Sequence, residues 1–222
     1  MKKEIYRSHL PHFHTPGRKY FVTWCLKSAV PNLAIKKYSS DLESLKKRIE
    51  LLEQRDAPSE TIDSARKEYY ILRKNNISFF NKMLDSQKEP KVNLGETTHT
   101  DIVSTTLKYW EEIKITNIAF SIMPNHIHWV LKTFEKDQDN ELVFLQDVLK
   151  SVKQYSAGKI NRAANRSGRL WHRESFDVTI RNESHLSNVI RYTLNNPVNA
   201  GLVKHWSQWP GNWCKKEYLP CF

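Results

Sequence analysis

The chain is poor in cysteine. Only Cys25, Cys214 and Cys221 occur in 222 residues, an odd number with no Cys-x-x-Cys pair. That pattern excludes a disulfide framework and a zinc ribbon, and it fits a reducing cytoplasm. Long hydrophobic runs are missing as well: a membrane-spanning helix needs about 20 mostly apolar residues, and no such stretch exists. The first residues, Met1-Lys2-Lys3-Glu4-Ile5-Tyr6-Arg7, carry basic side chains with no apolar stretch behind them, so no secretory signal is expected. There is no internal repeat and no low-complexity segment. Hydrophobic content of 39% and charged content of 27% are those of an ordinary globular protein. The length suffices for one domain, residues 1–222, with an elaboration inside it.

Charge is unbalanced, with a formal net charge of +11. Residues 36–96 hold 13 Lys and Arg against 11 Asp and Glu, so nine of the eleven excess positive charges lie elsewhere. A basic surface of this kind points to a polyanion, most simply nucleic acid. Seven tryptophans add surfaces on which bases can stack.

Residues 19–26 are aromatic and β-branched and follow the turn signal Pro16-Gly17, which predicts a first strand. Leu42, Leu45, Ile49 and Leu52, then Ile62, Ala65, Tyr69 and Leu72, keep heptad spacing around a break at 54–59. They predict an inserted helical hairpin over 36–96, near neutral and architectural, with a homodimer as the other use of the same heptads. A helix is expected at 101–113, two strands over 115–132 with Pro124 opening the second, and a long basic helix at 142–165. A short strand at 176–180 and a helix at 184–195 stopped by Pro197 complete the order. This alternation predicts an α+β architecture with one antiparallel sheet.

The chemistry-bearing stretch is Met123-Pro124-Asn125-His126-Ile127-His128. In a strand, residues two apart share a face, so His126 and His128 project together. Two imidazoles form a partial divalent-metal site with positions left open for a third ligand and a substrate. On the 184–195 helix and its continuation, Tyr192 and Asn196 are four apart and share a face. An amide oxygen suits Mg2+ or Mn2+, and a phenol one turn away can attack a phosphodiester. A second pair, His12 and His14, lies between Pro11 and Pro16-Gly17 and is expected in a loop, solvated or touching phosphate. Lys150, Lys153, Arg162, Arg166, Arg169 and Arg181 are candidates for tracking phosphates, and Trp171 for stacking an unpaired base. Trp206, Trp209 and Trp213 are expected to pack. On residues alone the arrangement is a metal-assisted phosphodiester site, with water in place of Tyr192 as nucleophile, or a DNA-binding protein without catalysis, as the other readings.

With Trp171-His172-Arg173-Glu174-Ser175-Phe176-Asp177, Ile180-Arg181-Asn182-Glu183 and Tyr192 through Val203, the histidine motif resembles the HUH signature of REP-associated tyrosine transposases. The resemblance spans most of the chain outside 36–96. It implies a ferredoxin-like antiparallel sheet with helices on one face. It implies His126, His128 and Asn196 as metal ligands and Tyr192 as nucleophile, with a divalent metal and no nucleotide cofactor. It also implies single-stranded DNA beside a palindromic hairpin as substrate, a 5′-phosphotyrosine intermediate, and a cytoplasmic, nucleoid-associated location. The chain departs from the family at Val178, where many relatives carry His or Arg, and in the length of the 36–96 segment.

Overall fold

Residues 5–7, 11–29, 32–86 and 90–221 are described in the computed structural model. The strands are β1 (Ile5–Arg7), β2 (Pro11–Phe13), β3 (Lys19–Cys25), β4 (Ile115–Ile122), β5 (His126–Thr133), β6 (Phe176–Thr179) and β7 (Asn212–Cys214). β1 and β2 pair with each other, and the other five form one antiparallel sheet in the order β6-β3-β5-β4-β7. The helices are α1 (Asn32–Gln54), α2 (Ser59–Ser86), α3 (Thr97–Lys108), α4 (Leu145–Ala163) and α5 (Glu183–Asn199). The architecture is α+β.

The central strands are apolar on both sides, so neither face can be left to water. Tyr20, Val22 and Trp24 of β3 and Ile127, Trp129 and Leu131 of β5 form one face, buried beneath Val103 and Leu107 of α3 and Val148 and Val152 of α4. Phe21 and Val130 point the other way and meet Leu186, Ile190 and Leu194 of α5. Helices therefore cover both faces, which corrects the expectation of helices on one face. The cause is the strict alternation of the strands, which sends apolar groups to each side in turn.

α1 and α2 form an antiparallel hairpin between β3 and α3. Leu42 and Tyr69 are buried between them, with Leu45, Ile49 and Leu72 half-buried around the pair, so the heptad stripe is satisfied within one chain. Phe80 and Leu84 near the end of α2 enter the main core, Phe80 against Phe176 at 4.0 Å between ring centroids. Among the described residues no helix is long and apolar enough to cross a membrane.

Two local structures differ from expectation. α5 continues through Pro197 to Asn199 instead of stopping before it. Pro197 lacks only the donor that would reach the Thr193 carbonyl, and the last turn is closed by other bonds, Ala200 N–H to Asn196 O and Leu202 N–H to Pro197 O, both 2.9 Å. Near the start, Pro11–Phe13 is a strand, not a loop. The side chain of His12 lies outside those described. His14 is buried, edge-on to Tyr20 and 3.3 Å from Asp177 Oδ2, so it is neither solvated nor open to phosphate.

The β4–β5 turn is pinned from three sides. Met123 N–H bonds His126 O at 2.8 Å, Leu94 N–H bonds Pro124 O at 2.8 Å, and Leu26 N–H bonds Asn125 O at 2.9 Å. Gly211 passes so close that a Cβ there would collide with the Ile122 carbonyl. The same carbonyl accepts from the Trp209 indole at 2.9 Å. Trp213 stacks on Phe120 at 5.3 Å, so the C-terminal tryptophans pack as anticipated.

Candidate active site

β5 opposes β3 with Cys25 across from His126 and Thr23 across from His128. This register puts both imidazoles on the face covered by α5. They are 1% and 0% exposed. Asn125 Nδ2 donates to the Leu84 carbonyl of α2 at 2.8 Å, which turns its oxygen toward His126 Nδ1 at 2.6 Å. The His126 Nδ1 is then the protonated nitrogen, and Nε2 keeps a lone pair. His128 Nδ1 is 2.8 Å from the Thr23 hydroxyl. The two Nε2 atoms converge at 3.1 Å.

Burial pushes the His126 pKa down to about 3, an effect that the nearby Asn196 carboxamide partly offsets. Burial, then the neighbouring His126, holds His128 well below the ordinary imidazole range. Both rings are neutral at pH 7, the state in which imidazole binds a metal.

α5 brings Tyr192 and Asn196 to this pair. The Tyr192 ring is half-buried, edge-on to His128 at 5.2 Å and to Phe21 at 5.8 Å. One turn further on, Asn196 is 2% exposed and its Oδ1 is buried without a hydrogen-bond partner. An orphaned amide oxygen beside two converging imidazole nitrogens fits a divalent cation. Adjacent octahedral ligands at about 2.1 Å from an ion stand about 3 Å apart, near the observed nitrogen separation. Among the described residues no cluster of three or more His, Cys, Asp and Glu forms, so the fitting donor set is two imidazoles and one amide.

The basic candidates separate. Lys150 and Lys153 of α4 line a groove of about 560 Å³ with Arg169 and Arg173. A second groove of about 570 Å³ shares residues 168–170 with it and adds Lys27, Lys91 and Arg166. Arg166 donates to Asn161, whose own amide holds the Gly168 carbonyl. Lys153 is turned inward, its Nζ donating to the carbonyls of Arg173 and Glu174, and burial pushes its pKa down to about 8. Arg162 is exposed on α4, while Arg181 lies apart from all of these, just before α5. Trp171 corrects an expectation: it is 4% exposed, edge-on to Trp24, and its indole donates to Ser156 at 3.0 Å. Neither face is open to a base. The Cys25 thiol, pushed up to about 12 by burial, is inert.

The two histidines, the tyrosine and Asn196 stand out in the sequence, whereas no role for Asn125, Thr23 or Phe21 does. Asn125 was visible inside the motif. Thr23 and Phe21 depend on a strand register that no local pattern fixes.

No family model matches the chain. Over 108 residues it is 29% identical to a protein described as a REP-associated tyrosine transposase of Haemophilus influenzae. The chain is similar to REP-associated tyrosine transposases. The alignment covers 45% of this chain and 59% of the relative, so it spans about three fifths of that protein's length. Among solved structures, a REP-associated tyrosine transposase bound to a REP hairpin aligns over 96% of this chain and 82% of its own, at 15% identity and a TM-score of 0.49.

Proposed function

We propose that the protein is a metal-dependent strand transferase acting on single-stranded DNA beside palindromic hairpins. The observation that carries the reading is the orphaned Asn196 oxygen beside the two converging histidine nitrogens, with Tyr192 one turn away on the same helix. His126, His128 and Asn196 would hold Mg2+ or Mn2+. When bound, such an ion would supply Lewis-acid chemistry to the scissile phosphate.

Tyr192 Oη attacks phosphorus, forming a 5′-phosphotyrosine as the bond to the 3′ oxygen breaks. The phenol proton ends on the leaving 3′ oxygen, giving a free 3′-OH, so the reaction is a transesterification and needs no nucleotide. Phe21 and His128 fix the tyrosine ring from two sides, holding its oxygen in one approach. Asn125 and Thr23 orient the two imidazoles from behind, as outer-shell partners do in metal sites. Lys150, Arg162, Arg166 and Arg169 track the phosphates of the hairpin, while Lys153 ties the 171–175 loop to α4. The chain acts as one domain with α1 and α2 as its insert, in the cytoplasm with the nucleoid.

The test uses labelled single-stranded hairpin oligonucleotides from the flanks of the gene, with Mn2+ or EDTA, on denaturing gels. A metal-dependent covalent shift that Tyr192→Phe and His126→Ala both abolish is the expected result. Cleavage that survives Tyr192→Phe assigns the nucleophile to water. Binding with neither cleavage nor adduct identifies a non-catalytic hairpin-binding regulator instead.

A further inference from the structure

A third groove, of about 1020 Å³, runs between α2 and the start of α5, with Val178 of β6 in its lining. The acidic residues of the hairpin are largely paired within it: Glu68 with Arg48, Glu50 with Lys46, Glu43 with Lys47, and both Glu53 and Asp63 with Arg66. Asp63 is the one acid that lines the groove. Lys67 and Lys74 of α2 and Arg181 before α5 line it with no ion-pair partner among the described residues. Arg73 is fixed there by a 2.7 Å bond from Nη2 to the Asp177 carbonyl. A segment that is near neutral in sum thus concentrates unpaired positive charge on one face. Tyr70 sits in the same wall, 59% exposed.

Cations beside an open aromatic ring suit a single nucleic-acid strand, whose backbone meets the charges while a base stacks on the ring. The groove also leads toward the candidate nucleophile. His185 lines it, and Tyr192 lies seven residues on, on nearly the same face of α5 and about 10 Å further along its axis.

We propose that this groove carries the single-stranded flank of the DNA substrate along α5 to Tyr192. The proposal rests on the DNA reading above and adds a function for the α1–α2 insert.

The test is fluorescence anisotropy on the full chain. It compares a hairpin bearing single-stranded extensions at both ends with the same hairpin lacking them, from 50 to 200 mM salt. A Lys67→Gln/Lys74→Gln/Arg181→Gln variant removes three cations. At about 0.7 counterions per phosphate contact on a single strand, the log–log salt slope for the extended hairpin should fall by about 2, and affinity at 0.1 M salt by on the order of 100-fold. Tyr70→Ala should cost about tenfold on the extended hairpin. Neither change should affect the unextended hairpin. An unchanged slope, or equal losses on both ligands, overturns the proposal. Absence of a covalent adduct in the wild type, with the slope difference intact, overturns strand transfer and leaves the groove standing.

Discussion

Asn196→Leu removes a buried carboxamide whose oxygen has no hydrogen-bond partner. An unsatisfied buried acceptor costs about 1–3 kcal/mol. Leucine is similar in size and branching, so little cavity or strain offsets that gain. In EDTA at pH 7.5 the variant is therefore expected to be more stable than the wild type by about 1 kcal/mol in urea denaturation, with the same m-value. Metal reverses the order. At 100 times its Kd, Mn2+ should stabilise the wild type by about 2.7 kcal/mol, and the variant should gain little at that concentration. A metal-free variant destabilised by more than about 1 kcal/mol would show that the amide holds the fold, not a cation. An equal Mn2+ gain in both proteins would remove Asn196 from the ligand set.

The buried histidines set a pH dependence of stability. His126 has a folded pKa of about 3 against 6.5 for the ordinary imidazole, so between those values the unfolded chain binds the extra proton. Stability is full above pH 6.5 and falls as pH drops through that window, by up to about 1.4 kcal/mol per pH unit for His126. His128, shifted in the same direction, adds a loss of the same sign. Urea midpoints of the metal-free protein from pH 4.5 to 7.5 should slope accordingly, and a flat profile would contradict the burial argument. Asn125→Ala removes the bonds to His126 Nδ1 and the Leu84 carbonyl. It should cost about 2 kcal/mol of stability and 10–100-fold in Mn2+ affinity by calorimetry, whereas wild-type affinity would show that His126 orients itself.

The parts legible in the sequence were those carried by local periodicity. The histidine pair follows from two-residue alternation, Tyr192 and Asn196 from four-residue helical spacing, and the α1–α2 hairpin from its heptads. What escaped was long-range. Trp171 reads as a base-stacking aromatic beside basic residues, yet a bridge between Leu26 and Trp171 draws it beneath the sheet. His14 has the same spacing as His128 but meets Asp177, 163 positions away in sequence. Pro197 reads as a stop because local rules ignore that a helix can leave one carbonyl unbonded near its end. The hairpin's charge sums to near neutrality, and only the pairing of its acids reveals the cationic face of α2.

Tyr192 Oη is expected to form the covalent link to DNA. Mass spectrometry of the protein after reaction with a Mn2+-supplemented single-stranded hairpin, nuclease trimming and proteolysis tests this directly. A nucleotide mass on the peptide containing Tyr192, with fragment ions placing it on that residue, is the expected result. A nucleotide on any other residue, or none despite cleaved DNA, would contradict it.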